Sequence, residues 1–148
     1  MKEPVELFTD CYLPAKAFPT LRRVVYASLV SLCSLRKALR LNRPRIFFTN
    51  DLAGCACYCA GSMDWPVIVL NVNSFRAPEL YLRQAVESSL VHEMLHAYLE
   101  TCGVDCYDYE HPEDEVENLA RRYCDGLLAG EEVAEALDKM AEKELAED

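Results

Sequence analysis

The chain has 148 residues, of which 51% are hydrophobic, and it carries a net charge of −10 with a pI near 4.8. This length supports one core of ordinary size, and we expect a single domain over residues 1–148. Non-specific contact with phosphate backbones needs clustered Lys and Arg, so the charge argues against direct nucleic-acid binding. The N-terminus lacks an apolar secretory segment, which predicts a cytoplasmic protein without disulfides or a membrane anchor.

The first half of the chain predicts a helix followed by short strands. Apolar residues recur at helical spacing over residues 24–41, which indicates an amphipathic helix that begins near Thr20. Its basic residues exclude a membrane span. Residues 45–49, 53–60 and 66–71 have strand composition, and residues 61–64 predict a turn between the last two strands.

A second, longer helix is predicted from Pro78 to about Glu100. Pro78 suits the first turn of a helix, and the eleven residues that follow it contain neither Gly nor another Pro. Gly103 can end the helix. Apolar residues lie on two sides of it, so we expect it to be buried.

This helix contains the motif His92-Glu93-Met94-Leu95-His96. Two histidines four residues apart share one face of a helix, and both can reach one metal ion while Glu93 stands beside them. A catalytic zinc site needs three protein ligands and a water, for which Glu93 is the natural general base. The alternative is a pair of hydrogen-bonded core histidines beside an ordinary helix salt bridge.

A third ligand is expected downstream of the motif. His111 is the one remaining histidine, fifteen residues after His96 and just before Pro112, which could open the next helix. A carboxylate is the alternative, because Glu113 and Glu117 are four residues apart. One of them could bind the metal while the other orients a histidine. Either could instead belong to a solvated acidic first turn, which the helix dipole favours.

These residues resemble the SprT-like zinc metallopeptidases. That family combines HExxH, often with Met and Ala at the positions seen in residues 92–97, with a His about fifteen residues later, here His111. Upstream, residues 53–58 are similar to its Ala-Gly segment with a following Tyr, and residues 67–71 to its strand ending in Leu-Asn. The family commonly has Gly after the third His, where this chain has Pro112.

The resemblance implies an α+β, zincin-like domain in which a small mixed sheet packs against a buried HExxH helix. It also implies a Zn²⁺ site formed by His92, His96 and His111, with Glu93 as the general base. The expected activity is that of an endopeptidase acting on proteins or peptides. A substrate would lie extended along the edge of the sheet.

Residues 117–120, Glu-Asn-Leu-Ala, resemble instead the ligand helix of the ImmA/IrrE-type peptidases, in which the Glu binds zinc. Glu117 is therefore the alternative third ligand. A second class of function is a non-catalytic binding module that keeps the fold and a structural metal. The intact Glu93 favours the enzyme, because a domain that only binds needs no base beside the metal.

Two further features of the sequence are its acidic C-terminal segment and its cysteines. The acidic segment over about 131–148 predicts a final helix that packs weakly on the domain or docks to a partner. The eight cysteines lack Cys-x-x-Cys spacing, so we expect them to be small buried hydrophobic residues, with a second metal site as the alternative.

Overall fold

The computed structural model describes residues 6–9, 19–49, 56–59, 66–75, 78–104 and 113–146. These contain, in chain order, strand β1 (Glu6–Thr9), helices α1 (Pro19–Ser31) and α2 (Cys33–Ala38), strands β2 (Arg45–Thr49), β3 (Ala56–Cys59) and β4 (Val67–Asn71), a 3-10 turn (Val72–Ser74), and helices α3 (Glu79–Thr101), α4 (Glu113–Cys124) and α5 (Gly130–Ala146). The expected α+β class is confirmed, with more helix than strand. No helix within these ranges is long and apolar enough to cross a membrane.

The four strands form one sheet in the order β1-β2-β4-β3. β1, β2 and β4 are parallel, whereas β3 pairs with β4 in the antiparallel direction. Ile46 and Phe48 of β2 pair with Ile68 and Leu70 of β4, and all four side chains are fully buried. Side chains two residues apart share one face of a strand, so this face of the sheet belongs to the core. The sequence did not predict β1.

The first predicted helix is found as two segments. It begins at Pro19, close to the expected start, but the helix is interrupted at Leu32. The backbone bonds continue across the interruption, since the Leu32 amide donates to the Ser28 carbonyl and the Arg36 amide donates to Leu32. α2 ends at Ala38, and two residues later Arg40 adopts a positive φ of 56°, where the chain turns toward β2.

α3 occupies the centre of the molecule and contacts α1, α4, α5 and β3. It starts one residue after Pro78, as the sequence predicted. At its other end Gly103 adopts φ of +94°, its amide bonds to the Glu100 carbonyl, and the Val104 amide bonds to Leu99. This is a Schellman ending, which needs the left-handed conformation that Gly adopts without strain. Nearly every side chain from Leu90 to Leu99 is buried, as expected for an HExxH helix.

α4 and α5 complete the described part of the chain. Each buries three side chains at helical spacing: Val116, Leu119 and Ala120 from α4, and Val133, Leu137 and Ala141 from α5. α4 packs against α3, and α5 packs against both α2 and α3. α5 spans almost the whole predicted final helix, and its three buried side chains fix it to the core.

Candidate metal centre

α3 presents both histidines of the motif toward the same point. His92 and His96 are one helical turn apart, and their Nε2 atoms are 3.0 Å apart. The rings meet edge to face with centroids 4.7 Å apart. His96 is buried and His92 nearly so. The helix therefore places two imidazole nitrogens at one edge of the core, as the four-residue spacing predicted.

The first residue of α4 supplies a carboxylate to the same point. Glu113 Oε1 lies 2.6 Å from His92 Nε2, and Glu113 Oε2 lies 3.0 Å from His96 Nε2. The Glu113 side chain is 60% exposed, so this side of the group is open to solvent. His92, His96 and Glu113 thus form a group that could hold a metal ion.

Hydrogen bonds leave one of the three contacts in this group without a hydrogen. The Nε2 atoms of His92 and His96 and the Glu113 carboxylate form three contacts of 2.6–3.0 Å. Each ring nitrogen carries at most one hydrogen and an ionised carboxylate carries none. Two hydrogens can therefore bond the two Glu113 oxygens, but the two Nε2 atoms then face each other at 3.0 Å as two donors. A cation at the centre would replace all three contacts by ligand bonds. The contacts therefore fit a metal site better than a pair of hydrogen-bonded core histidines.

The donor set suits one small divalent cation, although the three side chains lie closer together than such an ion would hold them. Tetrahedral Zn²⁺ with ligands at about 2.0–2.1 Å keeps its ligand atoms about 3.3 Å apart. The distances of 2.6–3.0 Å found among His92, His96 and Glu113 are shorter by roughly 0.3 to 0.7 Å. Imidazole and carboxylate are both ordinary zinc ligands, so the group would bind the ion after the three side chains separate by that amount.

Glu117 lies on the opposite side of the His92 ring. Its Oε2 is 2.7 Å from His92 Nδ1, the nitrogen that faces away from the three-atom group. The angle is not that of a hydrogen bond, and Nδ1 has no other hydrogen-bond partner. A small rotation of either side chain would align the two groups. Glu117 is thus placed to orient His92 rather than to join His96 and Glu113.

Glu93 lies beside the group in an open cleft of about 460 Å³. It is only 7% exposed, although it is one of the residues that line the cleft. The rest of the lining comes from α3, from the first turns of α4, and from Ser74 and Phe75 after β4. The Asn71 side chain accepts a hydrogen bond from the Asn73 amide at 3.1 Å, which shapes the turn that carries Ser74.

Carboxylates dominate the electrostatics between α3 and α4. Although Cys124 is exposed as a residue, partial burial of its thiol raises its pKa to about 11, and the carboxylates of Glu87, Asp125 and Glu117 act in the same direction. Arg121 is a counter-charge to Glu117 at 3.9 Å, but it is two-thirds exposed and one turn farther along α4. Such an exposed pair contributes little.

The structure brings some of the predicted site residues together and leaves others undescribed. His92 and His96 come together as expected, and Glu93 lies beside them. His111, the predicted third ligand, lies outside the described residues and stays a prediction. The sequence indicated Glu113 only as one of two possible carboxylate ligands. The signal for it was its position at the start of a predicted helix. Ser74, Phe75, Ser88 and Ser89 were missed, because nothing in their local sequence marks a cleft.

The expected burial of the cysteines is wrong for Cys124, which is exposed, while Cys33 and Cys102 are half-buried. All three are free thiols. Cys124 lies in the last turn of α4, four residues after the buried Ala120. Cys11, Cys55 and Cys106 lie outside the described residues, and for Cys57 and Cys59 the structure describes only their place in β3.

Comparisons with known proteins give no match: no family model, no curated protein and no solved structure matches the chain. Its function is therefore inferred from the geometry and chemistry of the site.

Proposed function

We propose that the protein is a zinc-dependent peptidase in which His92, His96 and Glu113 bind the metal and Glu93 is the general base. The observation that carries the proposal is the convergence of two Nε2 atoms and one carboxylate from two helices, beside a buried glutamate in an open cleft. A site that serves only structure is normally closed by a fourth protein ligand. The exposure of Glu113 leaves room for water and substrate instead.

When bound, Zn²⁺ would polarise the substrate carbonyl and lower the pKa of a coordinated water. Glu93 would accept a proton from a water in the cleft and would pass that proton to the leaving amine. Burial in the cleft wall fixes the Glu93 carboxylate in place. Glu117 holds the His92 ring through Nδ1, so that Nε2 stays directed at the metal position.

A pair of matched substitutions on α3 tests the role of Glu93. Glu93→Gln keeps the shape of the side chain without its basicity, so zinc content should be unchanged while peptide cleavage falls about 10²- to 10⁴-fold. Glu87→Gln is the control, because Glu87 is on the same helix but outside the cleft lining. It should cleave like the parent. If Glu93→Gln cleaved as fast as Glu87→Gln, Glu93 would not be the base.

The third ligand is tested by comparing three alanine variants for zinc affinity in one buffer. Glu113→Ala should lose far more affinity than the roughly 10- to 100-fold expected when an orienting group such as Glu117 is removed. His111→Ala should bind zinc like the parent. If His111→Ala loses zinc and Glu113→Ala retains it, the SprT-like ligand set implied by the sequence replaces the one proposed here.

Metal content separates the peptidase from the non-catalytic alternative. The purified protein should contain about one zinc per chain and should cleave an unfolded protein substrate such as casein. One zinc per chain without cleavage of any unfolded substrate would favour a binding module with a structural metal. No zinc after purification with metal present would contradict both functions.

A further inference from the structure

The cleft extends from the metal centre along α3. Ala85, Ser88 and His92 recur at intervals of three and four residues, so they lie on one stripe of the helix, with Ser89 beside them. Seven residues of helix span about 10 Å, which is about the length of three residues of extended chain. The stripe carries only small side chains between the histidine and Ala85, so a backbone can approach it closely.

The walls of this cleft carry a one-sided charge. Its described lining contains three carboxylates, from Glu93, Glu113 and Glu117, and neither Lys nor Arg. One divalent cation with two neutral histidines leaves a formal charge of −1 on the lining, obtained as +2 − 3, and the exposed Arg121, 3.9 Å from Glu117, screens part of it. Glu113 is 60% exposed and Glu117 is 47% exposed, so a side chain entering the cleft can reach them.

From these two features we propose, resting on the function proposed above, that the cleft binds an extended polypeptide carrying a basic side chain beside the metal centre. The backbone lies over Ala85, Ser88 and Ser89, and the Lys or Arg side chain points toward the carboxylates of α4. An acidic side chain at the same place is repelled by carboxylates of the same negative charge. The enzyme therefore selects basic segments of its protein substrates.

The test is a binding series on the Glu93→Gln protein, which removes cleavage from the measurement. Three fluorescein-labelled decapeptides of Gly, Ser and Ala differ only in one central residue, which is Lys, Gln or Glu. Unit charges about 4 Å apart near a protein surface interact strongly enough for a preference of at least fivefold. We expect the Lys peptide to bind at least that much more tightly than the Gln peptide, and the Glu peptide to bind most weakly.

Two variants assign the preference to the cleft. Ala85→Trp fills the stripe at an exposed position and should weaken binding of the Lys peptide about tenfold or more. Its control is Gln84→Trp, which adds the same side chain at the adjacent exposed position outside the cleft lining and should bind like the parent. Ser88→Lys places a cation in the cleft and should remove the preference for Lys over Glu.

The outcomes separate this inference from the function it rests on. The series is run with and without Zn²⁺, because Glu113 and Glu117 keep their carboxylates in either state, and the preference for Lys should be larger without the cation. Equal binding of the three peptides, tighter binding of the Glu peptide, or no binding at all would overturn the inference even if the parent cleaves casein. The expected order, with no cleavage by the parent, would support the acidic cleft that binds basic segments and contradict the peptidase.

Discussion

α4 and α5 pack on α3 in similar ways but differ in the polar contacts that they add. Each buries three apolar side chains at helical spacing. α5 adds one polar contact, in which the Tyr98 hydroxyl donates to the Asp138 carboxylate. α4 adds two carboxylates, Glu113 and Glu117, that both approach the histidines of α3. A hydroxyl and a carboxylate satisfy each other, whereas hydrogen bonds to Glu113 leave the two Nε2 atoms of α3 facing each other at 3.0 Å.

This difference indicates that the two interfaces depend on different conditions. Tyr98 stays protonated, because burial, and after it the bond to Asp138, raises the pKa of its hydroxyl. The α5 contact is therefore complete within the protein. The start of α4 instead places Glu113 and Glu117 in the lining of the same cleft as the buried Glu93. We infer that a cation between α3 and α4 completes that interface.

The largest predicted difference between the two interfaces follows from metal removal. With free zinc at about 1,000 times its dissociation constant, chelation should lower the free energy of unfolding by about 4 kcal/mol. Hydrogen exchange should locate the loss, with the amides of α4 exchanging faster after chelation and those of α5 little changed. Equal acceleration in α4 and α5 would contradict the assignment of the metal to the α4 interface.

Truncation of a buried side chain in α5 should lower the stability of the protein without changing its zinc binding. Leu137 is fully buried in α5, and Leu137→Ala should cost about 3 kcal/mol through the cavity that it leaves. Zinc stoichiometry and affinity should stay at parent values, measured by competition with a chromogenic chelator. Leu119→Ala is the matched change in α4, where loss of packing should also weaken zinc binding. A variant at Leu137 that lost zinc would show that the two interfaces are coupled.

A smaller effect should follow when the group behind His92 is altered. Glu117→Gln removes the charge 2.7 Å from His92 Nδ1 but keeps the size of the side chain. Orienting groups of this kind are worth about 10- to 100-fold in metal affinity. We therefore expect weaker zinc binding with unchanged stoichiometry. Complete loss of zinc would instead make Glu117 a ligand, as in the alternative resemblance.

Local signals explain what the sequence predicted correctly. Pro78 and Gly103 bound α3 because a proline at the start and a left-handed residue at the end act within one turn of chain. The convergence of His92 and His96 follows from the pitch of one helix. β2 was predicted at its observed bounds, because its short run of β-branched and aromatic residues is itself a strand signal. Each of these features depends on residues close together in sequence.

The missed features depend on residues far apart in sequence. The choice among His111, Glu113 and Glu117 is set by how α4 lies against α3, and the spacing after His96 does not fix that placement. Ser88 and Ser89 line a cleft only because the turn carrying Phe75 lies across from them. Neither Gly nor Pro lies near the interruption at Leu32, so the local sequence gives no sign of it.

The smallest predicted effect concerns the bond between α3 and α5. Tyr98→Phe removes the hydroxyl that donates to Asp138 and should cost about 1 kcal/mol, measured by urea unfolding at pH 7, with zinc affinity unchanged. The pKa of Tyr98 is raised in the folded protein, so the folded state holds its proton after the unfolded chain begins to lose it near pH 10. The parent should therefore lose stability relative to Tyr98→Phe as the pH rises past about 10. A constant difference between the two proteins from pH 7 to 11 would mean that the bond does not depend on the protonated hydroxyl.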